Sequence, residues 1–299
     1  MPDRPLPILI DTDIGDDIDD ALALALALTS PEVDLRAVTT VYGDVATRTR
    51  LALKLLATYG RPDIPVGTGR GAPLMGTLPT HVPNQAVVLD DGEALPQPSG
   101  HPADELIRRT AHEAAGRLVV ITIGAMTNMA IALLRDPRLA RQARLVVMGG
   151  VVGRQQAEWN IRCDPEAARI CFESGIPTTL VGLDVTMKCQ MAEADVEALA
   201  THGSAATQLL DAMVAGWSGS ADGQRKRKCP ILHDPLAVAV AFRPELVTVE
   251  PRKVVVETRG EFTRAFTVAT RSDTPNASVC LDVDSAAFLR LFMGRLLSR

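Results

Sequence analysis

The chain has 299 residues, 46% of them hydrophobic and only 3% aromatic, with a formal net charge of −5. That composition supports a large core built from Ala, Leu, Val and Ile and excludes a disordered chain. The acidic balance argues against a general nucleic-acid binder, which needs a broad basic face to displace phosphate counterions.

The opening MPDRPLPILID has too short an apolar stretch for a secretory signal, and it lacks a cleavage pattern. No run approaches the roughly 18 apolar residues of a membrane span, so a soluble cytoplasmic protein with no membrane partner is expected. ILID (8–11) reads as a strand. It leads through Asp11, Asp13, Asp16, Asp17, Asp19 and Asp20 into ALALALAL. That last segment alternates with period two, as a strand would. Ala and Leu are strong helix formers, however, and the aspartates suit a helix N-terminus, so a helix is expected.

VDLRAVTTVYG (33–43) predicts a second strand, followed by the helical VATRTRLALKLLATYG, with Gly60 at its end. Residues 71–105, rich in Gly, Pro and Asp, predict loop with at most short elements. RLVVITIGA (117–125) precedes the helical MTNMAIALLRDP, and ARLVVMGGVVG (143–153) precedes DPEAARICFESG. In the latter, Asp164 is a cap candidate before a first-turn Pro165, and Gly175 closes the helix. PTTLVGLDVT (177–186) comes before AEADVEALATHG. The basic cluster Arg225-Lys226-Arg227-Lys228 reads as a solvated loop. RKVVVETRGEFTRAFTVATR (252–271) predicts a β-hairpin around Arg259-Gly260. Five scattered cysteines, odd in number, fit reduced buried thiols better than disulfides or a zinc site.

Strands without polar alternation, spaced by helices, predict an α/β fold. The expectation is one domain over residues 1–299, with an open, mostly parallel central sheet flanked by helices in a Rossmann-like manner. In such sheets ligands bind at the carboxyl ends of the strands. The aspartate cluster sits at the carboxyl end of the first one. Like carboxylates held close raise one another's pKa unless a cation intervenes. A helix N-terminus offers only about half a positive charge. A hard divalent cation, calcium or magnesium, resolves the conflict.

Two families share parts of this pattern. ILIDTDIG is similar to the start of the haloacid-dehalogenase phosphatases, which would make Asp11 a phosphorylated nucleophile and Asp13 a general acid. Those enzymes have no need of Asp17, Asp19 and Asp20 immediately afterwards. The fuller resemblance is to the calcium-dependent nucleoside hydrolases, the inosine/uridine-preferring N-ribohydrolases. Their motif Asp-x-Asp-Pro-Gly-x-Asp-Asp-Ala resembles Asp11 to Ala21, with Ile14 in the proline position and two extra residues before Asp19-Asp20. Gly124-Ala125-Met126-Thr127-Asn128, Met148-Gly149-Gly150, Ala157-Glu158-Trp159-Asn160-Ile161, Asp164-Pro165-Glu166-Ala167-Ala168 and His233-Asp234 follow in the family's order. Together they cover about residues 8 to 240.

The resemblance implies a nucleoside N-ribohydrolase that binds Ca2+ and assembles as a homodimer or homotetramer. It implies Asp13, Asp20, the carbonyl of Thr127 and Asp234 as metal ligands, with Asp13 also the base and His233 the proton donor to the leaving nucleobase. Glu158, Asn160 and Asp19 would hold ribose, with Asp17 replacing or joining Asp19. His81, His101, His112 and His202 match no motif and are taken as non-catalytic. Three departures bear on substrate. Tyr42-Gly43-Asp44 stands where the family commonly has Ala-Gly-Asn, placing Asp44 among the substrate-binding candidates. HVPNQAVVLDDGE replaces a His-Gly-x-x-Gly-Leu segment. The Asn expected before Ala157 is absent, leaving Gln155 or Gln156 for the 5′-hydroxyl. A loop around Trp217 and residues 219–230 is expected over the base pocket. The alternative function is metal-dependent binding or hydrolysis of another ribosyl compound.

Overall fold

The computed structural model describes residues 4–219 and 229–298. Each apolar run placed before a helix becomes a strand: β1 (Leu6–Thr12), β2 (Val33–Thr40), β4 (Leu118–Thr122), β5 (Ala143–Met148) and β6 (Thr178–Val181). A short β3 (Val66–Thr68) and the C-terminal β7 (Val247–Val256), β8 (Thr267–Thr270) and β9 (Ala277–Val283) complete the sheet. The helices are α1 (Asp19–Thr29), α2 (Val45–Thr58), α3 (Ala103–Glu113), α4 (Thr127–Arg135), α5 (Leu139–Gln142) and α6 (Trp159–Cys163). They continue with α7 (Pro165–Glu173), α8 (Leu183–Thr186), α9 (Glu193–Thr201), α10 (Ala205–Gly219), α11 (His233–Phe242) and α12 (Ser285–Leu296).

The strand order is β3-β2-β1-β4-β5-β6-β9-β7-β8. All pairings from β3 through β9 are parallel, and β7 then joins β9 antiparallel. β7 and β8 form the expected hairpin, paired from Lys253–Thr270 to Val256–Thr267. The order reverses between β1 and β4, which opens a crevice at their carboxyl ends.

Alternate residues of each strand feed two cores, one on each face. Ile8, Ile10 and Ile121 face α1, α2 and α11, while Leu9, Val120 and Val147 face α3, α4 and α7. Every residue of α1 is buried, and the helix packs against α11. A helix that is apolar all round lies inside the protein, so the period-two alternation of ALALALAL carries no strand meaning. Gly60 and Gly175 end their helices at φ +71° and +81°, and Asp164 caps α7 by accepting from the Ala167 amide.

As expected, the stretch 71–105 is loop with only short elements, the 3-10 turn Asn84–Val88 and the start of α3. Other elements differ from expectation, and β3 is too short to mark itself in sequence. Trp217 lies not in a loop but in α10, 1% exposed and part of the core. Residues 220–228, with the Arg225–Lys228 cluster, lie outside the described residues. No helix among the described residues is long and apolar enough to cross a membrane, and all five cysteines are free thiols.

Leu24 is fully buried in α1. Leu24→Ala is expected to cost about 2–5 kcal/mol, read as a lower urea midpoint at unchanged slope. A loss below about 0.5 kcal/mol, the size of a surface change, would contradict the interior placement of α1.

Candidate active site

β1 delivers Asp11 and Thr12 to the crevice, and the chain re-enters at Asp19 to start α1. Asp11 is fully buried. Its Oδ1 accepts from Thr39 Oγ1 at 2.6 Å and Asn128 Nδ2 at 2.8 Å. Asn128 Nδ2 also donates to the Thr40 carbonyl at 2.9 Å, and its Oδ1 accepts the Arg70 amide at 2.9 Å. This carboxylate therefore stitches together the ends of β1, β2 and α4. Burial raises its pKa to about 7, and Oδ2 has no hydrogen-bond partner. A group so enclosed cannot meet a phosphate ester, which removes the phosphatase alternative.

Beyond it the carboxylates gather. Thr12 Oγ1 donates to Asp20 Oδ1 at 2.5 Å and accepts the Ile14 amide at 3.0 Å. Because α11 packs on α1, their N-termini meet, and the Asp234 amide donates to Asp19 Oδ2 at 3.2 Å. Asp19, Asp20 and Asp234 are buried, and each offers an oxygen within 4.8 Å of the others. Burial lifts the Asp13 pKa to about 7. It pushes Asp20 and Asp234 well above the carboxylate range, and the neighbouring aspartates push further. Three close, desolvated carboxylates form an all-oxygen donor set, which suits a hard divalent cation.

The carboxylates standing together are thus Asp19, Asp20 and Asp234, with Asp13 near enough for its charge to act on Asp20 and Asp234. Gly124, at the end of β4, makes that placement of Asp13 possible. A Cβ there would lie 2.7 Å from Asp13 Oδ1 and 2.9 Å from its amide nitrogen. Thr127 opens α4, and its hydroxyl donates to Asp164 Oδ2 at 2.6 Å. Asp164 Oδ2 also accepts the Leu74 amide at 2.8 Å, so one buried carboxylate ties α4 and α7 to the segment after β3.

Across the crevice, Glu158 caps α6. Its Oε1 accepts the Asn160 amide at 2.8 Å, and Oε2 accepts those of Gly150 at 3.0 Å and Ile161 at 3.1 Å. Asn160 Nδ2 donates to the carbonyls of Ile123 at 2.9 Å and Met148 at 3.1 Å, fixing it to the ends of β4 and β5. With both amide protons committed, Asn160 has only its oxygen left to offer. Two adjacent acceptor-only groups match a ligand that brings hydroxyl donors. His233 begins α11, its Nδ1 2.7 Å from Thr186 Oγ1.

Other candidates stand at the margin or elsewhere. Asp17 is half-buried, its Oδ1 accepts the neighbouring Ile18 amide at 2.8 Å, and its charge still acts on Asp234. Asp44 caps α2, accepting the Thr47 amide at 3.1 Å and hydroxyl at 2.7 Å, and those bonds lower its pKa. Gln155, Gln156, His101, His112 and His202 are exposed, and His81, also exposed, pairs with Asp16 at 2.8 Å. Sequence reasoning missed Arg48, buried beside Asp13 and Asp16. Its signal was a lone charge on the buried face of α2, which it shares with Leu51, Ala52 and Leu55. Thr186 carried no such signal, and Gly124 stood in a quoted motif without its closeness to Asp13 being legible.

Gly124→Ala is expected to displace Asp13 and weaken divalent-cation binding about tenfold or more, about 1.4 kcal/mol, with an unchanged circular dichroism spectrum. Calorimetric titration of the metal-free protein measures this, and wild-type affinity would refute the cradle.

Residues 8–290 match the family profile described as inosine-uridine preferring nucleoside hydrolase. The pyrimidine-specific ribonucleoside hydrolase RihA of Salmonella agona (strain SL483) is 39% identical, over 97% of this chain and 98% of that protein. A plant nucleoside hydrolase structure superposes with a TM-score of 0.88 at 30% identity, covering 99% of this chain and 100% of that one. The purine-preferring ribonucleoside hydrolase from Gardnerella vaginalis gives 0.86 at 29%, covering 97% and 98%. With the match running through the site elements from β1 to α11, the chain belongs to the inosine-uridine preferring nucleoside hydrolase family.

Proposed function

We propose that this protein hydrolyses the N-glycosidic bond of ribonucleosides to free base and ribose, with calcium as its resident ion. The observation that carries the proposal is the buried trio Asp19, Asp20 and Asp234, in a chain of this family. Asp13, Asp20, Asp234 and the carbonyl of Thr127 would hold the ion, which when bound supplies acidification of a water and a charge for ribose hydroxyls. Asp13 accepts the proton of the attacking water as the oxygen bonds to ribose C1′ and the bond from C1′ to the base nitrogen breaks. Glu158 and Asn160 accept hydrogen bonds from ribose hydroxyls, which holds the sugar as positive charge develops on it. Asp19 joins them, favoured over Asp17 because it is buried beside Asp20 and Asp234. His233 donates a proton to the departing base, its ring oriented through Thr186. Asp44 acts at one remove, through the α2 terminus it caps.

Uridine and cytidine are the first substrates proposed, because the RihA relative at 39% identity is named pyrimidine-specific. Assembly as a homodimer or homotetramer is proposed from the family resemblance and is read by light scattering. A cytoplasmic location is supported by five unpaired thiols, which suit a reducing compartment.

Release of free base from a purine and pyrimidine ribonucleoside panel tests the central claim. Activity is expected to vanish on chelation and to return with calcium. Calcium binding without cleavage of any panel member would shift the reading to another ribosyl compound. Asp13→Asn is expected to lower kcat about 10²–10⁴-fold in a folded protein, as loss of a general base does. Near-normal turnover would remove Asp13 from that role. His233→Ala should slow uridine strongly but spare a riboside whose leaving group departs without a proton. Equal losses on both would assign His233 to something other than proton donation.

A further inference from the structure

We infer that Arg48 is a positioning residue for Asp13, bracing the lengthened β1–α1 loop from inside; this rests on the proposed role of Asp13. The motif carries two more residues between Gly15 and Asp19 than the family's usual form, and a longer loop has more conformations to suppress. Arg48, 2% exposed, meets that need with one planar group. Its Nη1 donates to the carbonyls of Asp13 and Ile14, the latter at 2.9 Å. Nη2 donates to Asp16 Oδ2 at 2.8 Å, and Nε to the Tyr42 carbonyl at 2.6 Å. The fork geometry of a guanidinium is what lets a single side chain hold two separate loops at fixed angles.

The second loop is itself fixed. Tyr42 has φ +64°, an uncommon conformation for a non-glycine residue, and Gly43 follows at +71°. Asp44 then caps α2, the helix that carries Arg48. The Tyr42-Gly43-Asp44 segment thus builds the mount for Arg48, presenting the Tyr42 carbonyl to Nε and capping the helix that carries it. On the loop's outer side, the Gln85 amide donates to the Gly15 carbonyl at 2.9 Å and its Nε2 to the Asp17 carbonyl at 2.6 Å. The carbonyls of residues 13, 14, 15 and 17 are all engaged, so the backbone under the Asp13 carboxylate is held from both sides.

A simpler role for Arg48 would be to balance charge, and the two roles separate experimentally. Arg48→Lys keeps the charge but replaces three nitrogen donors with one. Positioning predicts a folded Lys variant, checked by circular dichroism and thermal melting, with kcat down about tenfold or more, since small misplacements are costly. KM should stay within about threefold of wild type, and calorimetry without nucleoside should show calcium bound about fivefold more weakly. A Lys variant matching wild type in kcat and calcium affinity, with Arg48→Met binding calcium more tightly, would overturn positioning in favour of charge balance. Should Arg48→Lys not fold, Asp16→Asn decides at a half-exposed position. A kcat drop of about threefold or more supports the brace, and an unchanged kcat and calcium affinity refutes it. Failure of wild-type protein to cleave any nucleoside would count against the proposed function alone, because the calcium comparison still judges Arg48.

Discussion

Asp13, Asp19, Asp20 and Asp234 lie at less than a tenth exposed where two apolar helices meet the end of a sheet, and their mutual repulsion is the constraint around which the rest is arranged. Two unit charges 4 Å apart interact by about 4 kcal/mol at the effective dielectric of a protein near its surface. The N-termini of α1 and α11 each return about half a charge, and Arg48 returns one more, already shared with Asp16. That falls well short of four carboxylates. Protonation, favoured by the upward push on Asp13, Asp20 and Asp234, is one way to settle the deficit. A divalent cation settles it without neutralising the ligands. The burial of all of α1, and of α11 from Asp234 to Val240, matters for the same reason, since solvent at their contact would weaken the field that favours an ion.

Six aspartates within ten residues separate by direction into three tasks. Asp11 points back into the sheet and stitches strand ends through Thr39 and Asn128. Asp13, Asp19 and Asp20 face the crevice with Asp234. Asp16 and Asp17 stay half-buried and shape the loop, one through Arg48 and the other through its own backbone. The switch point between β1 and β4 explains the separation. There the parallel strands end together while their connections leave toward opposite faces, and Gly124 lets the β4 end approach Asp13 without a side chain between them.

The strands and the α1 helix were legible because their signals are local. Apolar runs without alternation mark buried parallel strands, and Ala/Leu content with acidic residues in front marks a helix. Asp164 before Pro165 was legible for the same reason. β3 and the α3 start were not, because three residues carry no period and a Pro/Gly-rich approach masks a helix. Trp217 was misplaced because a lone aromatic near a glycine gives no direction, whereas its helix buries it on the α1 side of the sheet. Within the site, the motifs marked Glu158, Asn160 and Asp234, but Asp44 was drawn toward substrate by its place in a triplet, while in space both its oxygens serve the start of α2. Arg48 and Thr186 act through residues 35 and 47 positions away, and no reading of one segment at a time can find such pairs.

One geometric idea joins the two halves of the crevice. The acidic half needs a cation, and a cation takes oxygen lone pairs. The Glu158–Asn160 half has only acceptors to offer and so takes hydroxyl protons. A hydroxyl group satisfies both demands at once, with its oxygen toward one side and its hydrogen toward the other. A vicinal diol does so twice, and a water molecule does the same with both of its protons. The arrangement that would hold a ribose is therefore also the arrangement that would orient and acidify the water that attacks it. On this view sugar recognition and water activation are one electrostatic device, and the nucleobase is handled separately from the His233 side.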